Sequence, residues 1–127
     1  MKKELLKSSL TKKILIIEDE GEICLLLNIL LDSSELELEH VQNLSAAEQY
    51  LERAQPAVVI LDNKLPDGFG VDFISYLKKT YPGVRIIMIS GFSGSVRDVA
   101  IENGADIFLE KPFTRHELHQ SIRLLTN

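Results

Sequence analysis

Acidic, hydroxyl and ammonium side chains recur at one kind of place in this sequence, the end of a short aliphatic run. Glu18 and Asp19 follow Lys13–Ile17, Asp62 follows Ala57–Leu61, Ser90 follows Arg85–Ile89, and Lys111 comes just after Ile107–Leu109. Three carboxylates brought together repel one another unless shared protons or a cation neutralise them. A hard, oxygen-seeking ion suits such a donor set, Mg2+ or Mn2+ in its place, and Mg2+ commonly shares its shell with phosphoryl oxygens. Asp62 is then the candidate nucleophile, since a carboxylate can form an acyl phosphate. Lys111 is the candidate partner of one phosphoryl oxygen, and Ser90 a hydroxyl donor to another. Each residue alone has a plainer reading: an aspartate after a strand opens a loop or caps a helix, Ser90-Gly91 makes a turn, and Lys111 before Pro112 is a solvated lysine. Only their joint placement points to chemistry.

The elements that must position them alternate along the chain. Lys13–Ile17, Leu36–Val41, Ala57–Leu61, Arg85–Ile89 and Ile107–Leu109 read as five strands, and the second, with Glu35, Glu37 and Glu39, as an edge strand with a wet side. Helical spacing follows each strand. Ile23, Leu26, Leu27, Leu30 and Leu31 form a first stripe, ended by Asp32-Ser33-Ser34; Ala47, Tyr50, Leu51 and Ala54 form a second, behind a capping box read at Ser45–Glu48. Pro66, Gly68 and Gly70 mark a loop before a third helix, led by Val71, Ile74, Leu77 and Lys78 and running to Tyr81-Pro82-Gly83; Ser95–Asn103 is a fourth, capped by Gly104; Thr114–Glu117 offers a capping box for a fifth that carries Leu118, Ile122 and Leu125. Strand and helix in alternation predict an α/β domain, one parallel sheet covered on both faces. The pattern does not set the strand order. In such sheets ligands bind beyond the carboxyl ends of the strands, where the acids, Ser90 and Lys111 fall.

A chain of 127 residues fits one domain: Met1–Lys12 read as a polar lead-in and residues 13–125 as the domain proper. The formal charge of −5 and scattered lysines and arginines give no footprint for direct nucleic-acid binding. Cys24 is the only cysteine, so a disulfide framework is excluded and a reducing, cytoplasmic compartment is expected, with Cys24 packed in the first helix. No apolar run approaches a membrane span. His40, His116 and His119 are too scattered for a zinc site, and Phe69, Phe73 and Phe113 read as core packing.

Four stretches together carry a resemblance: Ile14–Glu20 (ILIIEDE), Val58–Gly70 (VVILDNKLPDGFG), Ile86–Gly91 (IIMISG) and Gly104–Phe113 (GADIFLEKPF). Over Lys13 to Leu125 the chain resembles the receiver domains of two-component response regulators. That resemblance implies a flavodoxin-like, CheY-like doubly wound fold with strand order 2-1-3-4-5. It implies an acid pair at Glu18 and Asp19, a phosphoacceptor at Asp62, the Lys64 backbone carbonyl as a further metal ligand, and Lys111 on the phosphoryl group. Ser90 and Phe108 would be the hydroxyl and aromatic switch residues, and the Lys111–Pro112 bond would be cis. A sensor histidine kinase or histidine phosphotransfer protein would be the donor. The face of the fourth helix, fifth strand and fifth helix would serve a homodimer or an output module. The chain ends soon after the fifth helix, so it reads as a stand-alone receiver or a piece of a larger regulator.

Two departures bear on mechanism. Glu18 stands where the family usually has a first aspartate, and its longer side chain would reach the cation directly or through water. Lys64 and Phe92 stand where other receivers place residues that hold attacking water, which predicts slow self-dephosphorylation. The rivals are weaker. An aspartate-nucleophile phosphatase of the haloacid-dehalogenase type needs an acid where Lys64 stands, a flavodoxin-type cofactor site would be repelled by Glu18–Glu20, and a vestigial, phosphorylation-independent binding module would not need Asp19, Asp62, Ser90 and Lys111 together.

Overall fold

The computed structural model describes residues 11–32, 35–91 and 95–126. The expectations for residues 1–10, for Ser33 and Ser34, and for Phe92 lie outside the described residues. Five parallel strands form the sheet: β1 (Lys12–Ile17), β2 (Leu36–Val41), β3 (Val58–Asp62), β4 (Arg85–Ser90) and β5 (Ile107–Glu110). Their order is β2-β1-β3-β4-β5, the order implied by the resemblance. The helices are α1 (Gly21–Leu30), α2 (Leu44–Arg53), α3 (Gly70–Thr80), α4 (Ser95–Asn103) and α5 (Arg115–Thr126). No described helix is long and apolar enough to cross a membrane.

The aliphatic runs are explained by burial on both sides of the sheet. In β1, Leu15 and Ile17 pack with α2, α3 and α4, through Ala47, Tyr50, Leu51, Phe73, Ile74, Leu77 and Ala100. Ile14 and Ile16 point the other way, to Leu27 and Leu31 at α1 and Leu118 and Ile122 of α5. The same alternation continues through Val59 and Leu61 against Val58 and Ile60 in β3, and Ile86 and Met88 against Ile87 and Ile89 in β4. At the edge, β2 keeps Glu37 and Glu39 exposed and its other residues half-buried.

Local sequence accounts for several helix ends. Thr114 and Glu117 form the reciprocal box: the Glu117 amide donates to Thr114 Oγ1 at 3.0 Å and the Thr114 amide to Glu117 Oε1 at 3.0 Å. Gly104 follows α4 at φ +117°, a region that suits glycine.

Three expectations need correction. The cap of α2 is Asn43, not Ser45, because Asn43 Oδ1 accepts the Ala46 amide at 2.7 Å and the helix already begins at Leu44. Leu26 is 43% exposed and Leu27 fully buried, so the α1 stripe is narrower than the sequence spacing suggested. Phe69 is 54% exposed, because the segment read as an irregular loop folds back as an antiparallel pair, Lys64–Leu65 with Gly68–Phe69, which lifts that ring off the core.

Candidate functional site

Asp62 is the last residue of β3, the central strand, and its 5% exposure leaves it nearly buried. Asp62 Oδ1 accepts the Asn63 amide at 2.9 Å and the Lys111 ammonium at 3.2 Å. The next residue holds the chain's exit from the strand: the carbonyl of Asn63 accepts the Gly70 amide at 2.7 Å and its Oδ1 accepts the Val71 amide at 3.1 Å. Gly70 has to be glycine, since a Cβ there would stand 2.2 Å from the Asp62 carbonyl oxygen. Asn63 and Gly70 were missed as site-shaping residues. Gly70 carried a signal as the last of three breakers after Asp62, whereas Asn63 carried none.

Glu18 and Asp19 arrive from the end of β1, beside β3. Ligand atoms of Glu18, Asp19 and Asp62 all lie within 4.8 Å of one another, with Glu18 and Asp62 buried and Asp19 exposed. Glu18 Oε2 accepts the amides of Asp19 at 3.1 Å and Glu20 at 3.5 Å. Its Oε1 is buried without a hydrogen bond, with Lys111 Nζ 3.6 Å away. Burial, and then the neighbouring Asp62, push the Glu18 carboxyl up to about 8. Burial opposes the charge of Lys111, but Asp62 and Glu18 outweigh it and hold the ammonium above its ordinary value.

This arrangement fits a divalent cation. An all-carboxylate donor set with one buried oxygen left without a hydrogen bond is what a hard cation would neutralise.

The remaining residues fall around this cluster or beyond it. Ser90 ends β4, buried, and its carbonyl accepts the Lys111 amide at 2.8 Å. The Lys111–Pro112 bond is cis. Phe108 lies half-buried in β5 against the α2–α4 core, and Lys64 is exposed on the paired segment after Asp62. Cys24 is half-buried, and its thiol donates to the Glu18 carbonyl at 3.4 Å. The histidines do not converge: His40 meets Asn28 at 2.8 Å, His119 contacts the Leu30 carbonyl, and His116 is exposed.

Comparison with known proteins agrees with this geometry. The model of the response regulator receiver domain matches residues 14–123. The response regulator protein PilR of Pseudomonas aeruginosa is 30% identical over 112 residues, which are 87% of this chain and 25% of PilR. The KDP operon transcriptional regulatory protein KdpE of Escherichia coli is 33% identical over 112 residues, 87% of this chain and 49% of KdpE. The chain thus spans from a quarter to about half the length of these curated relatives. Among solved structures, the beryllofluoride-activated NtrC4 receiver domain dimer superposes with a TM-score of 0.86 at 32% identity, covering 91% of this chain and 97% of that one.

Proposed function

Because the chain belongs to the response regulator receiver domain family, we propose that it accepts a phosphoryl group on Asp62 from a phosphohistidine of a sensor kinase or histidine phosphotransfer protein. The observation that carries this reading is the convergence of Glu18, Asp19 and Asp62 within 4.8 Å, with Lys111 Nζ 3.2 Å from Asp62. An Asp62 carboxylate oxygen attacks phosphorus, the P–N bond breaks, and the imidazole leaves with the electron pair and takes a proton. The product is an acyl phosphate. Lys111 shifts from pairing Asp62 to pairing a phosphoryl oxygen, and Ser90 donates its hydroxyl to another. Mg2+ or Mn2+ would be held by Asp19, Asp62, the Lys64 carbonyl and Glu18, directly or through water, and would neutralise the charge that gathers there.

The Ser90 and Phe108 side chains then bias the face of α4, β5 and α5 between two packings. Val99 and Ile101 of α4 and Leu124 of α5 are exposed, and through the face of α4, β5 and α5 the chain engages an output module or a second copy; the activated NtrC4 receiver domain is itself a dimer. Lys64, and Phe92 with it, slow the loss of the phosphoryl group. The central test is intact mass after incubation with acetyl phosphate and Mg2+. One phosphoryl adduct is expected on the wild type and none on Asp62→Asn; an adduct of equal yield on that variant would reject the assignment.

A further inference from the structure

The segment that leaves Asp62 is secured at two points. Its inner end is held by Asn63, which bonds the amides of Gly70 and Val71. Between the two points the backbone pairs Lys64 with Phe69 and Leu65 with Gly68, a ladder too short to be stable by itself. Its tip is held by Asp67. Although exposed, the Asp67 carboxylate accepts two amides from a helix more than twenty positions earlier: Leu44 to Oδ1 and Ser45 to Oδ2, both at 2.9 Å. These bonds draw the Asp67 carboxyl below its ordinary value. Gly68, at φ +153°, brings the tip so near α2 that a Cβ would sit 3.1 Å from Leu44 Cδ1.

A carboxylate on the first amides of a helix is stabilised by the partial positive charge there, and bidentate contact fixes direction as well as distance. Asn43 already caps the next amide, Ala46, so α2 has a local cap of its own. The bonds from Asp67 therefore do something Asn43 does not: they tie the loop to the helix. Lys64 lies between the two anchor points.

We propose that Asp67 is a positioning residue for the phosphoacceptor loop, gripping the start of α2 so that residues 63–69, and the Lys64 carbonyl among them, keep a fixed path beside Asp62. This rests on the reading of Lys64 and the acids as the cation's ligands. Supporting residues of this kind typically change metal affinity by about 10-fold or more.

The experiment is calorimetric titration of the full chain with MgCl2 alone, beside thermal melting, for wild type, Asp67→Ala, Asp67→Asn and Asn43→Ala. Asp67→Ala is expected to weaken Mg2+ binding by roughly 10-fold, and Asp67→Asn, which keeps one acceptor oxygen, by less. Asn43→Ala removes the local cap, so it should lower the melting temperature while leaving Mg2+ affinity at the wild-type value. Wild-type affinity in Asp67→Ala, or equal weakening in Asn43→Ala, overturns the inference. A wild type that binds no Mg2+ overturns the reading of the acids as a cation site and takes this inference with it.

Discussion

The helices α1 and α2 start at the same end of the sheet, each just after a neighbouring strand, and acids stand near both starts. At α2 the acid, Asp67, does what acids near helix starts usually do, and the neutral amide of Asn43 assists it. Asn43 and Asp67 between them accept the amides of Leu44, Ser45 and Ala46, which leaves the first turn satisfied. At α1, the residue in the capping position is Glu20, and its side chain makes no capping bond. Glu18 turns instead toward Asp62 and Lys111, with one oxygen orphaned and its carboxyl pushed up to about 8. The same chemical group thus has opposite fates. An exposed carboxylate given two amides becomes a stable strut, while a buried one set beside another carboxylate becomes a site that favours an incoming cation.

The sharpest way to break this contrast is to remove the charge that holds the α1 acids in place. Lys111→Met leaves Asp62 without its 3.2 Å partner and Glu18 without its 3.6 Å one. Phosphoryl uptake from acetyl phosphate at saturating Mg2+ should slow by about 100-fold, the usual scale for deleting a charge-stabilising donor. Mass spectrometry over a time course reads the rate. A drop of less than about threefold would mean that Lys111 serves only to neutralise the resting carboxylates.

The contrast also explains which parts of the molecule were legible in the sequence. Four of the five aliphatic runs lead into a residue of the candidate site, so Glu18, Asp19, Asp62, Ser90 and Lys111 could be singled out from local pattern, as could the reciprocal cap of Thr114 and Glu117. The strand order came with the family resemblance, since alternating strands and helices are compatible with several orders. The cap of α2 escaped because half of it comes from Asp67, across the fold, and Ser45–Glu48 matched the local motif well enough to mislead. Leu26 and Phe69 were assigned to the core because apolar spacing records which residues can be buried, not how wide a strip the neighbouring element covers. Leu27 and Leu31, flanked by the half-buried Ile23 and Leu30, form the strip at α1 that meets the sheet, and Leu26 lies outside it.

A smaller effect should appear in stability. Glu18 ionises near 4.5 ordinarily and near 8 in the folded chain, so between those values the folded state holds a proton that the unfolded state has released. With a chelator present, the part of the unfolding free energy due to Glu18 is therefore fully present below about pH 4.5 and is lost as pH rises toward 8. The loss is on the order of a few kcal/mol, and Glu18→Gln, which does not titrate, should lack it. Mg2+ competes with the proton, so it should stabilise the wild type more at pH 8 than at pH 5, and urea titrations at both values with and without the ion measure this. Parallel pH profiles for wild type and Glu18→Gln would show that Glu18 is ionised in the resting fold and that its contrast with Asp67 is one of geometry alone.

The smallest expected effect concerns the outer faces of the same two helices. In α2 the apolar stripe is covered: Ala47, Tyr50 and Leu51 are all buried. In α1 only Leu27 is buried within the helix, and Leu25, Leu26 and Ile29 are 62%, 43% and 61% exposed. Leu26 is the informative position, because sequence spacing puts it in the core and the structure puts it at the margin. If it packed as a core leucine, truncating it to Ala would cost about 2–5 kcal/mol. At the margin, Leu26→Gln keeps the helix propensity and much of the side-chain stem, so the cost should be no more than about 1 kcal/mol. Urea unfolding of Leu26→Gln in Mg2+ decides between them. A cost above about 2 kcal/mol would mean that α1 is rotated toward the sheet and that its inner face is as wide as that of α2, which would erase this difference between the two helices; a near-neutral result keeps α1 as a helix whose inner face is narrow, with Glu18 and Asp19 oriented by the strand before it.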